Sequence, residues 1–122
     1  MSNLKIFSEK IKINGKRVIV RLDLNVPVNK SNIEDSTRIQ IVEPFIHKLI
    51  EKKAKIILIS HLGRPKGKIV KEMSLYPIFI YLQKCLNSKV YFYKKKIDQN
   101  AINASNNLKP GEVLLIENIR FF

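Results

Sequence analysis

Three short segments hold most of the side chains that could do chemistry: Arg21-Leu22-Asp23-Leu24-Asn25, His61-Leu62-Gly63-Arg64 and Glu117-Asn118-Ile119-Arg120. Guanidinium groups, an imidazole, a carboxylate and amides suit a small anionic, hydroxylated ligand, because arginine grips carboxylate or phosphate through parallel hydrogen bonds. Each segment follows an apolar run: Val18-Ile19-Val20, Ile56-Ile57-Leu58-Ile59 and Val113-Leu114-Leu115-Ile116. Short continuous runs rich in β-branched residues read as strands buried on both faces of a parallel sheet. Ligands of open α/β sheets lie beyond the carboxyl ends of the strands, so the three polar tails are expected to meet at one edge.

Within the first tail, strand alternation puts Arg21, Asp23 and Asn25 on one face and Leu22, Leu24 and Val26 on the other. Asp23 and Asn25 read as ligand contacts. Arg21 reads first as an ion-pair partner that closes the strand end beside Asp23. Arg38 falls in the first turn of the next helix, where free backbone N–H groups attract anions but an arginine opposes the macrodipole, a placement that calls for a functional reason. In the second tail, Gly63 and Gly67 permit tight turns, His61 can donate to an oxyanion, and Arg64, Lys66 and Lys68 add charge. The spacing G-x-x-x-x-G-K-[ST] of a phosphate-binding P-loop is absent. In the third tail, Glu117 reads as a group that orients Arg120. His47 falls mid-helix and reads as a solvated or boundary residue. Cys85 is the single cysteine, which excludes an internal disulfide and a cysteine-rich metal site, and reads as a small helix-boundary residue.

The elements that must position these tails follow from periodicity. Residues 1 to 16 read as an irregular lead-in with a turn at Asn14-Gly15. A strand spans about 17 to 23, and Pro27 ends it. A polar loop follows over Asn29-Lys30-Ser31-Asn32. Asp35 or Ser36 then caps a helix whose stripe is Ile39, Val42, Ile46, Leu49 and Ile50, with a kink expected at Pro44. Next come a strand at about 55 to 60 and a basic loop at 61 to 68. A helix capped by Ser74, with Pro77 in its first turn, buries Leu75, Ile78, Phe79, Leu82 and Leu86. A strand from Lys89 to Tyr93, a weak helix at about 97 to 107 and a strand at 113 to 117 complete the chain. This alternation implies a single α/β domain, a Rossmann-like parallel sheet in three layers with helices on both faces. The apolar exit at Phe121-Phe122, with no turn or helix after it, suggests that the polypeptide continues.

The length of 122 residues suits one domain with a real core, and 45% hydrophobic with 27% charged residues is ordinary for a globular protein. No apolar run reaches the roughly 18 residues of a spanning helix, and the N-terminus lacks a secretory signal, so the expectation is cytoplasmic with no membrane partner. A net charge of +13 raises nucleic acid as a partner. Most of the excess is lysine scattered along the chain, alongside abundant Ile and Asn, a pattern that biased codon composition also produces. The one candidate stacking stripe is Tyr91-Phe92-Tyr93-Lys94-Lys95-Lys96, and alternation on a strand buries at least one of its rings.

Taken in order, Arg21-x-Asp23-x-Asn25-Val26-Pro27, Asp35-Ser36-Thr37-Arg38, Ser60-His61-Leu62-Gly63-Arg64-Pro65-Lys66-Gly67, Leu108-Lys109-Pro110-Gly111-Glu112-Val113 and Glu117-Asn118-Ile119-Arg120-Phe121 resemble the N-terminal domain of phosphoglycerate kinases, over residues 4 to 122. The resemblance implies phosphoryl transfer between 1,3-bisphosphoglycerate and MgADP, giving 3-phosphoglycerate and MgATP in glycolysis, by a typically monomeric enzyme of two domains. Residues 1–122 would then be part of the phosphoglycerate-binding domain. Asp23, Leu24 and Asn25 would line the glycerate end; His61, Leu62, Gly63, Arg64 and Arg120 would cradle the phosphate that is not transferred. Arg38 would be the catalytic arginine facing the transferred group. MgATP and MgADP would belong to a C-terminal domain that this chain lacks, with no metal site here, so the chain alone is expected to be inactive. Leu24 stands where the family usually has phenylalanine, and Phe122 where histidine is common. The alternatives are a truncated, non-catalytic remnant and a basic nucleic-acid-binding module, the latter disfavoured by the scattered lysines.

Overall fold

The computed structural model describes residues 12–23, 28–29, 32–33, 36–63 and 65–122. Strand β1 (Arg17–Arg21) is followed by two short strands, β2 (Val28–Asn29) and β3 (Asn32–Ile33), then helix α1 (Thr37–Glu51) and β4 (Lys55–Ile59). Helix α2 (Tyr76–Cys85), β5 (Val90–Tyr93), helix α3 (Gln99–Asn106) and β6 (Val113–Ile116) complete the alternation. The main sheet is parallel throughout, in the order β1-β4-β6-β5. The expected α/β architecture is therefore present. β2 and β3 pair antiparallel, Val28 with Ile33, where a plain polar loop was expected; two residues per strand leave no periodicity to read.

Strand register sorts the apolar side chains onto two faces. Val18, Ile56, Val113 and Val90 stand side by side across the four strands, as do Val20, Leu58, Leu115 and Phe92. These rows pack against Ile39, Ile46 and Leu49 of α1 and against Ile78 and Leu82 of α2. The alternate residues Ile57, Ile59, Leu114 and Ile116 cluster on the other face with Ala104 of α3 and Leu108. Helices thus cover both faces, but unequally: Ile19 of the edge strand β1 is 69% exposed. A cleft of about 750 Å³ opens there, lined by Ile19, Ile57, Ile59, Ile97 and Ile102. Its apolar lining lies along the sheet face, with Lys16, Arg17 and Lys55 at its other border.

Local chemistry explains the element ends. Asn14-Gly15 forms the expected turn, with Gly15 at φ +75°. Ser36 precedes α1, but its Oγ accepts from Gln40 Nε2 at 2.8 Å and makes no backbone cap; Asp35, the other expected cap, lies outside the described residues. Pro44 sits on the exposed side of α1, which runs unbroken to Glu51. Ser74 is not the N-cap of α2, a place taken by Leu75. Ser74 Oγ nevertheless accepts from Tyr76 N–H at 3.1 Å and so satisfies one of the free donors of the first turn. Asp98 caps α3, accepting from Ala101 N–H at 3.0 Å.

Candidate functional site

Parallel pairing in the order β1-β4-β6 brings three strand exits side by side at one edge, as the apolar runs implied. Beyond β1, Leu22 N–H donates to Ile59 C=O at 3.0 Å, and Leu22 packs on the main core while Asp23 stays exposed. Ser60 is fully buried between the tails, its Oγ donating to Leu22 C=O at 2.8 Å, while its own carbonyl accepts from Ile119 N–H at 3.2 Å. One small hydroxyl residue thus ties all three exits together.

Asp23 is bound by Arg38. Nη1 of Arg38 reaches both carboxylate oxygens, at 3.0 and 2.9 Å, and both side chains are more than half exposed. Arg21 is exposed as well, so the buried Arg21–Asp23 pair expected at the strand end is not the arrangement found. The first turn of α1 contains no acidic residue, and Asp23 supplies from the neighbouring strand exit the negative charge that Arg38 at this helix end favours.

The second tail turns sharply. Gly63 has φ +65° beside Met73, and a side chain there would bring its Cβ within 3.0 Å of Met73 Sδ. The conformation favours glycine, and any side chain would also have to displace Met73 by a few tenths of an ångström. Gly67 also has positive φ, at +77°. The loop is laced to the third tail, since Gly67 N–H donates to Arg120 C=O at 3.0 Å. His61 is partly exposed, and its pKa is lowered below 6.5, first by desolvation and then by the charges of Arg120 and Arg21, with Asp23 opposing them. The imidazole therefore shares one electrostatic neighbourhood with groups from all three tails.

In the third tail, Glu117 is buried and does not reach Arg120 as expected. Its carboxylate accepts from Ser74 Oγ at 2.6 Å, Leu75 N–H at 2.7 Å and Asn118 N–H at 2.8 Å. Asn118 instead contacts Arg120, at its backbone: Asn118 Oδ1 accepts from Arg120 N–H at 3.0 Å. The Arg120 side chain is exposed.

Of the residues expected in the site, Asp23, Arg38, His61, Leu62, Gly63 and Arg120 lie around this edge, whereas Leu24, Asn25 and Arg64 fall outside the described residues. The side chain of Leu62 packs into the main core, which leaves its backbone for any contact. Among the described residues, no three His, Cys, Asp or Glu side chains come together as a metal site. No helix there is long and apolar enough to cross a membrane. In the aromatic run, Lys89 Nζ lies 5.9 Å from the Tyr91 ring centroid, Phe92 stacks on Phe79 at 5.2 Å and the Tyr93 hydroxyl donates to Asp98 at 2.7 Å, so each of its three aromatic residues has an internal partner.

An anion-adapted edge on a parallel sheet occurs in many folds; the sequence match narrows it to one. The phosphoglycerate kinase family model matches residues 8–122. The chain belongs to the phosphoglycerate kinase family. Relatives named phosphoglycerate kinase include those of Sinorhizobium medicae, 48% identical over 96% of this chain, and Prochlorococcus marinus strain MIT 9515, 47% identical over its whole length. Among solved structures, the Coxiella burnetii phosphoglycerate kinase superposes with a TM-score of 0.76 at 38% identity over 92% of the chain. The Pyrococcus horikoshii enzyme superposes with a TM-score of 0.83 at 29% identity over all of it. The chain spans about 30% of the length of these relatives: 29% and 31% of the two sequences, and 27% and 29% of the two structures.

Proposed function

We propose that this chain is the phosphoglycerate-holding part of a phosphoglycerate kinase, and that residues 1–122 form part of its N-terminal domain. The observation that carries the reading is the convergence of Asp23 with Arg38, His61 and Arg120 at adjacent parallel strand ends, in a member of this family. Asp23 and Asn25 hold the glycerate hydroxyl and carboxylate end, and Leu24 lies between them. His61, Gly63, Arg64, Arg120 and the backbone of Leu62 receive the phosphate that stays in place.

Transfer then moves the acyl phosphate of 1,3-bisphosphoglycerate to ADP. The bond from phosphorus to the carboxyl oxygen breaks, a bond to the terminal ADP oxygen forms, and 3-phosphoglycerate leaves as the carboxylate. Such transfers depend on alignment and on neutralising charge spread over the equatorial oxygens. Arg38 supplies that charge once it lets go of Asp23. MgADP and MgATP are held by a nucleotide-binding domain outside these residues, and the whole enzyme works as a soluble cytoplasmic monomer.

The test is a titration of the chain with 3-phosphoglycerate, followed by NMR at two salt concentrations. Saturable millimolar or tighter binding is expected, weaker at high salt, with shifts confined to residues near 23, 38, 61 to 63 and 120. A well-dispersed spectrum that 3-phosphoglycerate leaves unchanged would refute the reading.

A further inference from the structure

Asn118 has 0% exposure, yet every polar atom of its side chain is engaged with a different segment. Nδ2 donates to the carbonyl of Leu62 and to the carbonyl of Met73, both at 2.8 Å, and Oδ1 accepts from Arg120 N–H at 3.0 Å. Its own N–H is held by Glu117 at 2.8 Å. The amide orientation is determinate: reversed, it would set Oδ1 against two carbonyl oxygens and Nδ2 against an N–H. No other natural side chain of this size offers two donors and an acceptor in that layout.

The segments it joins are the ones that carry the anion-binding groups. Leu62 lies between His61 and Gly63, Met73 fills the space over Gly63, and Arg120 supplies a guanidinium from the neighbouring strand exit. Resting on the phosphoglycerate reading above, we propose that Asn118 is a positioning residue for the phosphate end of the site. It fixes the spacing between the His61–Gly63 turn and Arg120 without touching the ligand. Glu117 supports it from behind, through Ser74 and Leu75. Buried groups that orient binding residues affect ligand binding as well as stability, because misplacement by a fraction of an ångström already loosens a charged contact.

The experiment compares wild type with Asn118→Asp, which keeps the shape but turns both donors into acceptors. NMR titrations give the dissociation constants of 3-phosphoglycerate and of D-glycerate, which lacks the phosphate. The expected result is that the advantage of 3-phosphoglycerate over D-glycerate falls about tenfold, with D-glycerate affinity nearly unchanged. A merely structural role would weaken both ligands alike, so an unchanged ratio overturns the proposal. If the variant does not fold, wild type still decides. The side-chain amide resonances of Asn118 should shift with saturating 3-phosphoglycerate and stay in place with D-glycerate; equal shifts, or none, overturn the proposal. Wild type that binds no 3-phosphoglycerate removes the underlying reading instead, and this inference with it.

Discussion

The two flanks of the candidate site are held by different physics. On the β4–β6 side, Ser60, Glu117 and Asn118 are buried and satisfied by neutral donors and acceptors from three separate segments. On the β1–α1 side, the ion pair between Asp23 and Arg38 links strand exit to helix start, with side-chain exposures of 68% and 55%. The first arrangement is rigid, because releasing any one bond strands a buried polar group. The second is screened by solvent and readily exchanged. That division suits a site in which one phosphate stays put while the group next to Arg38 must be handed on.

Breaking the buried flank should produce the largest effect. Glu117→Ala leaves Ser74 Oγ and the N–H groups of Leu75 and Asn118 without their acceptor, and should cost about 3 kcal/mol or more of stability, read by urea unfolding. Breaking the exposed flank should do the opposite. Arg38→Ala should change stability by less than about 1 kcal/mol while weakening 3-phosphoglycerate binding severalfold or more. A loss of stability comparable to that of Glu117→Ala would erase the distinction between the flanks. The smallest and most local effect is the pH response of His61, which lies between them. Its folded pKa is below 6.5, so the unfolded chain binds the extra proton first as pH falls. His61 therefore lowers stability as pH drops from about 6.5 toward its folded pKa, and the contribution is recovered above that window. An NMR titration of the imidazole should show a midpoint below 6.5 in the free chain, moving up when a phosphate binds beside it.

Much of the sheet was readable because each central strand is a continuous apolar run, which only burial on both faces demands. Its edges were less so. The strand expected to reach residue 23 ends at Arg21, since beyond β4 there is no partner ladder to extend it. The side chains around the site were legible by type, but their partners were not. Arg38 was noticed for sitting against a helix dipole, yet nothing in the chain says that Asp23 will meet it. Glu117 was expected beside Arg120 because the two are close in sequence. The fold instead turns Glu117 toward Ser74 and Leu75, and Asn118 takes up the contact. Ser60 and Ser74 carry no sequence signal beyond their position next to an apolar run, because a hydroxyl's role depends on which distant carbonyl or carboxylate it reaches. Leu24, Asn25 and Arg64 belong to the same motifs and lie outside the described residues.

The strand order has a consequence for the birth of the protein. β4 and β5 are not hydrogen-bonded to each other; the edge each turns toward the other is occupied by β6, the last strand among the described residues. A polypeptide leaving the ribosome from its N-terminus therefore displays two unsatisfied strand edges until residues 113–116 arrive. The same four residues lead directly into Glu117 and Asn118, so one piece of chain both joins β4 to β5 and braces the edge where the three tails meet.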